Sequence, residues 1–304
     1  MVVKIAITGA SGVLGSAVRR AFEKAEGAYN LLCLSFTQSG DGLTRLDLND
    51  RSAALSAFEA FRPDWVIHCA AERRPDVAEK NPEAAKKLNS EVPGFLAGLS
   101  KVLGFTLVYI STDYVFDGTA PPYKPSSQTH PLQFYGQSKR DGELAVLGVD
   151  GAKSVVLRVP VLYGPCRRNS DTAVNILLDV VQDQSGKKYK MDHHASRYPT
   201  NVDDISKFLV RLTTMPEPLP PIMHFSAQEK FTKYEICQIL ANATGLPIHH
   251  IVPETEPPVG ATPRPKDTHL DISETEKLLP DGDLGCCTFT DWWKTYLNLN
   301  PQSQ

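Results

Sequence analysis

The stretch "TGASGVLG", residues 8–15, decides the fold of this chain. It follows the apolar, β-branched run "VVKIAIT" (2–8) and opens a helical pattern over 13–24. Backbone N–H groups at the start of a helix that follows a strand can bind a pyrophosphate, and glycines let the backbone approach it closely. The GxxGxxG spacing alone is only moderately specific, but its place at the first strand–helix junction favours a dinucleotide site over a tight structural turn. The three glycines of the loop are Gly9, Gly12 and Gly15.

Strand and helix patterns alternate through the first 165 residues. Short apolar runs rich in β-branched residues predict strands over 2–8, 31–36, 65–71, 106–112 and 154–164, with a short strand over 44–48. Helical patterns between them cover 13–24, 51–61, 82–103 and 136–147. Because near-continuous apolar runs are typical of strands that helices cover on both faces, the alternation predicts an α/β fold with a doubly wound, parallel Rossmann sheet. Asp50 is expected to cap the second helix, and Pro93 to kink or break the third.

After residue 165 the alternation becomes irregular. Helical patterns cover 172–182, 203–214 and 232–245, a strand is predicted over 222–227, and the proline-rich 252–265 is expected to be an extended, exposed loop. We therefore expect a Rossmann domain over 1–165, completed by parts of 196–227. Segments 166–195 and 228–304 are expected to form a smaller C-terminal α/β lobe that binds a substrate or a partner.

The composition excludes several classes of function. With 41% hydrophobic and 22% charged residues and a net charge of −3, the chain has no basic excess for nucleic acid and no charge run for a membrane surface. Its longest apolar runs are strand-sized, so no transmembrane helix is expected. Six cysteines without a CxxC spacing, Cys286 and Cys287 among them, indicate reduced thiols in a cytoplasmic protein. The adjacent His193 and His194 face different directions and have no third ligand at a usable spacing, so no metal site is expected.

The end of the second predicted strand bears on the choice of dinucleotide. An acidic residue there accepts hydrogen bonds from a ribose 2′-hydroxyl, whereas an arginine favours a 2′-phosphate. The segment "SFTQSG" (35–40) contains neither. Its hydroxyl groups can bond a phosphate and no carboxylate repels it, which favours NADP (NADPH) over NAD. The hydroxyl residues are Ser35, Thr37 and Ser39, and Asp47 and Leu48, at the end of the next short strand, are placed to contact the adenine.

The stretch "FYGQSKRDGE", residues 134–143, contains a candidate acid–base pair. Tyr135 and Lys139 stand four residues apart, which places them on one helix face roughly 6 Å from each other. A nearby ammonium favours the phenolate and so lowers a tyrosine pKa from about 10, and such a tyrosine can exchange a proton with a carbonyl while a hydride moves. Thr112, at the end of the fifth strand, can hydrogen-bond the reacting oxygen. Lys139 can equally hold a nicotinamide ribose, so the pair is either a catalyst or a cofactor contact.

Basic residues border the expected cleft. Arg73 follows the fourth strand, where we expect it to contact a nicotinamide, a phosphate or a substrate anion rather than to pair with Glu72 or Asp76. For Arg74 the same two interpretations stay open. Arg197 is expected to lie at the substrate or partner cleft.

Two further features each allow two interpretations. Asn89, in the long third helix, either braces the catalytic strand or is an ordinary polar helix residue. Trp292 and Trp293 either belong to the core of the C-terminal lobe or present an exposed anchor for another protein.

The motifs together resemble the extended short-chain dehydrogenase/reductase family. "STDYVFDG" (111–118) followed by "YGQSK" (135–139) is similar to its dTDP-4-dehydrorhamnose reductase (RmlD-like) branch. Within that branch, four further blocks resemble the regulatory beta subunits of methionine adenosyltransferase. These blocks are "HCAAERRPDVAEKNPEAA" (68–85), "LRVPVLYG" (157–164), "MDHHASRYPTNVDDIS" (191–206) and "TKYEICQILA" (232–241).

The resemblance implies roles for individual residues. In the reductases a Thr, a Tyr and a Lys reduce a 4-keto sugar nucleotide with NAD(P)H, and the matching residues here are Thr112, Tyr135 and Lys139. In the beta subunits the same fold holds NADP(H) and accompanies the catalytic subunit, which makes S-adenosylmethionine. The expected cofactor-binding set is Gly9, Ser11, Gly12, Val13, Leu14, Gly15, Phe36, Thr37, Asp47, Leu48, Cys69, Ala70, Ala71, Arg73, Tyr135, Lys139 and Leu162.

Two hypotheses follow from the resemblance. The chain is either an NADP-binding regulatory subunit whose partner is a methionine adenosyltransferase catalytic subunit, or an NAD(P)H-dependent oxidoreductase that reduces a 4-keto sugar nucleotide. The chain departs from the beta subunits in two places. "TQSG" (37–40) stands where they carry arginines, and the end "FTDWWKTYLNLNPQSQ" (289–304), where they dock the catalytic subunit, shows little likeness.

Overall fold

The computed structural model describes residues 2–257, 260 and 262–299. Its strands are β1 (Val3–Thr8), β2 (Tyr29–Ser35), β3 (Leu43–Arg45), β4 (Trp65–His68), β5 (Thr106–Thr112), β6 (Lys153–Val159), β7 (Leu162–Tyr163), β8 (Tyr189–Asp192), β9 (Thr200–Asn201), β10 (Ile222–His224) and β11 (Ile251–Glu254). Its α-helices are α1 (Val13–Lys24), α2 (Arg51–Phe61), α3 (Pro75–Lys80), α4 (Pro82–Lys86), α5 (Val92–Leu103), α6 (Phe134–Leu147), α7 (Ile176–Gln182), α8 (Val202–Leu212), α9 (Lys233–Thr244), α10 (Ser273–Glu276) and α11 (Phe289–Leu299). A π-helical turn covers Lys87–Glu91, and 3-10 turns cover Asp113–Val115 and Asn169–Asp171.

The central sheet has seven strands in the order β10-β6-β5-β4-β1-β2-β3. Its strand pairs are all parallel. The chain leaves β1 in one direction, through β2 and β3, and returns to the other side of β1 with β4 and β5. The order therefore reverses between β1 and β4, and in such sheets ligands bind in the crevice at the carboxyl ends of those strands. The predicted fold class, a doubly wound parallel α/β sheet, is confirmed.

Helices cover both faces of this sheet, and alternate strand residues supply both cores. On one face Ile5 and Ile7 of β1 pack with α1 and α8, where Phe208 is fully buried. On the other face Ala6 packs with α2, α5 and α6, where Phe58 is fully buried. Because both faces of the strand are covered, the sequence shows continuous apolar runs rather than alternation.

The interruption expected at Pro93 takes the form of the π-helical turn that joins α4 to α5. Proline has no N–H to donate to the carbonyl four residues earlier, which belongs to Asn89. The Tyr109 hydroxyl donates to that carbonyl instead, over 2.8 Å. The irregular turn thus ties the helix to β5, the strand that ends at Thr112.

Helix ends agree well with the sequence. Asp50 caps α2, since its carboxylate accepts a hydrogen bond from the backbone N–H of Ala53. Thr232 caps α9 in a capping box with Glu235, and Gly245 ends that helix in the left-handed conformation.

Strand ends agree less well. The fourth strand ends at His68 instead of residue 71, because the chain then turns beneath the glycine loop. The strand predicted over 154–164 ends at Val159, and Leu162–Tyr163 forms β7, which pairs with β9. The short strand predicted over 44–48 covers only Leu43–Arg45, so Asp47 and Leu48 follow the strand instead of ending it. The strand predicted over 222–227 ends at His224, and the helix predicted over 172–182 begins at Ile176.

The expectation of an exposed loop over 252–265 is corrected at its first residues and at Pro265, which is buried. Val252–Glu254 belong to β11, which pairs with β8 in a small parallel sheet. Residues 258, 259 and 261 of the predicted loop lie outside the described residues. The buried side chain of Ile251 explains why a strand forms here, because it packs in the core of the C-terminal part at the start of β11.

The C-terminal part packs α7, α9 and α11 around its own apolar cluster. Trp293 is fully buried in this cluster, and Trp292 is half-buried with its ring stacked on Tyr296. Of the two interpretations, the lobe core therefore holds for Trp293. Two elements from residues 196–227 pack with the Rossmann part instead: β10 joins the central sheet, and α8 packs on α1. The boundaries of the two expected domains stay a prediction.

Across the part of the chain that the structure describes, no helix is both long and apolar enough to span a bilayer.

Candidate functional site

A cavity of about 510 Å³ lies at the carboxyl ends of the central strands, where the strand order reverses. It extends from the glycine loop past Tyr135 to the start of α9. The expected cofactor and catalytic residues all line it, as does Arg197; Arg74 does not. In chain order these residues are Gly9, Ser11, Gly12, Val13, Leu14, Gly15, Phe36, Thr37, Asp47, Leu48, Cys69, Ala70, Ala71, Arg73, Thr112, Tyr135, Lys139, Leu162 and Arg197. Their roles stay predictions, but the fold brings them to one cleft.

The glycine loop forms a cradle of backbone N–H groups. Gly9 has a φ of 63°, and a Cβ atom there would lie 2.8 Å from the backbone nitrogen of Ala70. A Cβ atom on Gly15 would lie 2.2 Å from the carbonyl oxygen of Gly9. Gly12 is the N-cap of α1 and has no side chain to cap it, so no capping side chain occupies the first N–H groups of the helix, whose first turn lines the cleft. Such a helix start can bind the pyrophosphate of a dinucleotide.

The end of β2 forms the wall of the cleft beside this cradle. Ser35 is buried, and its Oγ lies 2.9 Å from the Oγ of Ser11. The backbone N–H of Gln38 also donates to the Ser35 hydroxyl. Phe36 is 62% exposed at the mouth of the cleft, which is unusual for a phenylalanine and suits a face for an adenine ring. Among the expected hydroxyl residues, Ser39 is exposed and does not line the cavity.

Thr112, Tyr135 and Lys139 stand together on the opposite wall. The Thr112 hydroxyl accepts from the backbone N–H of Tyr114 and donates to Asp113 Oδ1, each over 3.2 Å. Lys139 is 2% exposed, and its ammonium donates to the carbonyl of Ile110 over 2.7 Å. The chemistry available is therefore a phenol, a hydroxyl and a buried ammonium around one space.

The expected effect of Lys139 on Tyr135 is wrong. Burial raises the pKa of Tyr135 well above its ordinary value, and a hydrogen bond shared with Thr112 and the charge of Arg73 oppose the shift without cancelling it. The Lys139 ammonium is instead occupied by the carbonyl of Ile110 and lies 4.0 Å from the centre of the Tyr109 ring. Burial lowers the pKa of Lys139 to about 7, against the charge of Glu143. A four-residue spacing gives a shared helix face, but it does not give the burial of either group.

Asn89 braces this wall from behind. Its side-chain amide donates to the carbonyl of Glu72 and to the Ser138 hydroxyl, and its carbonyl oxygen accepts from the N–H of Glu72 over 2.9 Å. Glu72 lies in the loop after β4, and Ser138 lies in α6 between Tyr135 and Lys139. The bracing interpretation of Asn89 therefore fits the geometry better than an ordinary polar helix position.

The two neighbouring arginines differ. Arg74 forms a two-pronged ion pair with Glu72, with both N···O distances 3.0 Å, which supports the salt-bridge interpretation. Asp76 pairs with Arg264 over 2.9 Å instead of with Arg73. Arg73 lines the cleft, and within the described residues no hydrogen bond or ion pair holds its guanidinium. It is the arginine of the pair that is available to a bound anion.

Three basic side chains line the far end of the cleft: the expected Arg197, and Lys233 and Arg264, which sequence reasoning missed. Arg197 is 5% exposed, lies 3.5 Å from Asp192, and keeps a buried Nη2 without a hydrogen-bond partner. Burial, together with Arg197 and Arg264, lowers the pKa of Lys233 to about 8. Lys233 and Arg264 belong to segments far apart in the sequence, so no local pattern joins them. The one sequence signal for Lys233 was the helix start at Thr232, which places this lysine on the first turn of α9.

Asp113 is a second group that sequence reasoning missed. It directly follows Thr112, is 4% exposed and lines the cleft. Its carboxylate accepts hydrogen bonds from the hydroxyls of Thr268 and Thr112. Burial nevertheless raises the pKa of Asp113 to about 6.

The two adjacent histidines lie away from these groups. His193 shares a hydrogen bond of 2.8 Å with the Thr232 hydroxyl, and His194 shares one of 3.1 Å with the carbonyl of Thr255. Over residues 2–257, 260 and 262–299, no three His, Cys, Asp or Glu side chains are grouped as metal ligands would be.

A doubly wound sheet with a glycine cradle and a Thr–Tyr–Lys set at its strand-order reversal defines an extended short-chain dehydrogenase/reductase. Comparison with known families narrows the class. The family profile for the RmlD substrate binding domain matches residues 3–283, and the chain belongs to that family.

The known relatives are of two kinds, regulatory subunits and reductases. Methionine adenosyltransferase 2 subunit beta from Xenopus laevis is 44% identical over 275 residues, which cover 90% of this chain and 81% of the relative. A probable dTDP-4,6-dihydroxy-2-methyloxan-3-one 4-ketoreductase from Streptomyces antibioticus is 35% identical over 241 residues, which cover 76% of this chain and 74% of the relative. The crystal structure of dTDP-4-dehydrorhamnose reductase from Bacillus anthracis in complex with NADP shares the fold, with a TM-score of 0.83, 24% identity and coverage of 99% and 100% of the two chains. The resemblance expected from the motifs is confirmed.

Proposed function

We propose that this protein is a regulatory subunit of the methionine adenosyltransferase beta type, which binds NADP and a catalytic subunit and so supports S-adenosylmethionine synthesis. One observation carries the proposal: the 44% identity to a relative named as that subunit, sustained over 90% of this chain. The likeness covers both the Rossmann sheet and the C-terminal part, since the matched region is far longer than a dinucleotide-binding domain.

The cleft supports a nicotinamide dinucleotide as the cofactor. The first turn of α1 offers uncapped N–H groups to a pyrophosphate, and Phe36 offers a face to an adenine. At the ribose, Ser35 and Ser11 present hydroxyls and the end of β2 carries no carboxylate, which favours NADP over NAD. Two solved relatives of the fold, one in complex with NADP and one with NAD, fit the same class of cofactor.

A second candidate function is the reduction of a 4-keto sugar nucleotide. Thr112, Tyr135 and Lys139 line one cleft, and the basic far end with Arg197 and Lys233 suits the diphosphate of such a substrate. The 35% identical ketoreductase relative adds weight to this candidate. A retained set of three residues does not by itself imply turnover, because Tyr135 and Lys139 also fit a role in holding the nicotinamide ribose.

A paired experiment separates the two functions. The full chain is mixed at low-micromolar concentration with the catalytic methionine adenosyltransferase from the same organism, with and without NADP, and complexes are isolated by size-exclusion chromatography. A stoichiometric complex supports the regulatory function. The absence of a complex, together with NADPH oxidation when a dTDP-4-keto sugar is added, replaces it with the reductase.

The Tyr135→Phe variant is the matched control for both arms. It removes only the phenol oxygen, so a regulatory subunit should still form the complex. A reductase should instead lose its NADPH oxidation with this variant, because its proton donor is gone.

A further inference from the structure

A charged pair is buried beneath the cleft. Glu143 of α6 and Arg158 of β6 are 3% and 2% exposed. The guanidinium donates two hydrogen bonds to the carboxylate, of 2.9 Å from Nε and 2.7 Å from Nη2. The Ser111 hydroxyl donates a third. Burying such a pair is costly even when it is fully hydrogen-bonded, so stability alone is a weak reason for its presence.

Glu143 continues the face of α6 that holds the candidate site. Tyr135, Lys139 and Glu143 follow one another at intervals of four residues, so they lie along one stripe of the helix. Lys139 donates to the carbonyl of Ile110, and Glu143 accepts from the hydroxyl of Ser111. Two successive residues of β5 are therefore held by two successive turns of α6. The next residue of the strand is Thr112. The two contacts between α6 and β5 therefore also hold Tyr135 opposite Thr112.

Glu143 also balances the charge of Lys139. The groups that face this buried ammonium from the neighbouring elements are Tyr109 of β5, His68 of β4 and Cys69, the residue that follows β4. Burial keeps each of them neutral, because it raises the pKa of Tyr109 and Cys69 and lowers that of His68. Among the groups that act on Lys139, Glu143 supplies the negative charge that favours its protonated form.

We propose that Glu143 is a positioning residue for the dinucleotide site, which holds α6 against β5 and keeps Lys139 charged, so that it sets how dinucleotide affinity depends on pH. The inference rests on the proposed binding of a nicotinamide dinucleotide. In physical terms, one buried carboxylate stabilises two cations: it accepts hydrogen bonds from Arg158, and its negative charge favours the protonated form of Lys139.

The test uses Glu143→Gln in the full chain, which keeps the shape of the side chain and removes its charge. NADPH affinity is measured by fluorescence titration between pH 5.5 and 9. In the wild type, affinity should be full below the pKa of Lys139, about 7, and should decline above it as the ammonium loses its proton. In Glu143→Gln the decline should begin at least about one pH unit lower, with affinity about 10-fold weaker at pH 7.5 and recovered at pH 5.5.

Two further variants keep the inference falsifiable. Asp141→Asn makes the same charge change on the same helix at a half-exposed site paired with Arg140, and it should leave the pH profile within about 0.2 units of wild type. Arg158→Gln leaves Glu143 with Lys139 as its remaining cation, so the decline should move to higher pH, opposite to Glu143→Gln. A Glu143→Gln profile that keeps the wild-type midpoint, whatever its overall affinity, overturns the inference.

A readout without ligand separates this inference from the proposed function. The ¹³Cε resonance of Lys139, assigned by its loss in Lys139→Arg, reports the titration of the ammonium directly. If wild type binds no NADPH at any pH, the proposed cofactor function fails, and the inference then stands or falls on whether Glu143→Gln lowers this titration midpoint.

Discussion

Cofactor choice should depend on one side chain, Ser35, and the substitution Ser35→Asp should reverse it. Ser35 is the last residue of β2, is 2% exposed, and touches the glycine loop through the 2.9 Å contact between its Oγ and that of Ser11. A carboxylate at this position would face the 2′-substituent of the adenosine ribose. It would accept hydrogen bonds from the two ribose hydroxyls of NAD, and it would repel the 2′-phosphate of NADP.

The size of the effect follows from Coulomb's law. At a separation of about 5 Å and an effective dielectric constant of about 20, a pair of like unit charges costs about 3 kcal/mol. A 2′-phosphate carries more than one charge, so Ser35→Asp should weaken NADP binding at least about 100-fold, because about 1.4 kcal/mol is worth a factor of ten. The affinity for NAD should stay within about threefold of wild type, since the two ribose hydroxyls exchange the Ser35 hydroxyl for a carboxylate acceptor whose burial offsets the stronger hydrogen bonds.

The assay is isothermal titration of wild type and variant with NADP and with NAD at two salt concentrations. Ser39→Asp is the control, since that residue is exposed four positions further on and does not line the cavity; solvent screening should hold its effect on NADP below about fivefold. An equal loss of both dinucleotides in Ser35→Asp would mean damage to the loop, and an unchanged NADP affinity would mean that the 2′-phosphate lies elsewhere. Either result refutes the reasoning.

Three further predictions concern stability and the cradle. Gly15→Ala should abolish detectable dinucleotide binding in the same titration, because its Cβ would lie 2.2 Å from the Gly9 carbonyl oxygen. Gly98→Ala is the control, because its Cβ meets open space in α5, and it should bind normally. Its free energy of unfolding in urea should rise by about 0.5–1 kcal/mol. Tyr109→Phe should lower the free energy of unfolding by about 1–3 kcal/mol, because the Asn89 carbonyl loses its donor, while Tyr29→Phe should change it by less than about 0.5 kcal/mol. Burial raises the pKa of Asp113 to about 6, so the folded chain binds this proton more tightly than the unfolded chain and loses stability as pH rises from about 4 to 6. Asp113→Asn should remove up to about 2 kcal/mol of that loss, measured by denaturant titrations at pH 4.5 and 7. Asp150→Asn, at an exposed position, should leave the loss unchanged.

Most of the fold could be predicted because its signals are local. The glycine loop, the buried strands and the helix caps at Asp50 and Thr232 each act within a few residues, and the observed bounds of those helices agree closely. Strand ends were less predictable, because they depend on contacts across the sheet. β4 stops at His68 because the following turn must pass within 2.8 Å of where a Cβ on Gly9 would be, and nothing near residue 68 in the sequence encodes that approach.

The near half of the cleft could be predicted for a topological reason. In a doubly wound sheet the carboxyl ends of the strands share one edge, so residues at a strand end or in the loop that follows it, such as Thr112 and Arg73, meet there. The far half could not. Lys233 and Arg264 enter from the C-terminal part, and their meeting with Arg197 depends on how that part packs against the sheet. The pKa of Tyr135 was also beyond the sequence, because it depends on burial, which a four-residue spacing does not determine.

Of the retained Thr112, Tyr135 and Lys139, the lysine has a physical explanation that does not require turnover. Lys139 lies 2% exposed between Ile110 and Tyr109, where its ammonium joins α6 to β5. Replacing it would remove a hydrogen bond from a buried strand and would leave the Glu143 carboxylate with Arg158 alone. A regulatory subunit that only binds a dinucleotide would therefore keep the lysine for folding and for the cofactor alike. Tyr135 shares neither of these bonds to the strand, and its hydroxyl bonds Thr112 inside the cleft, so the question of turnover comes down to whether that one oxygen also exchanges a proton with a ligand.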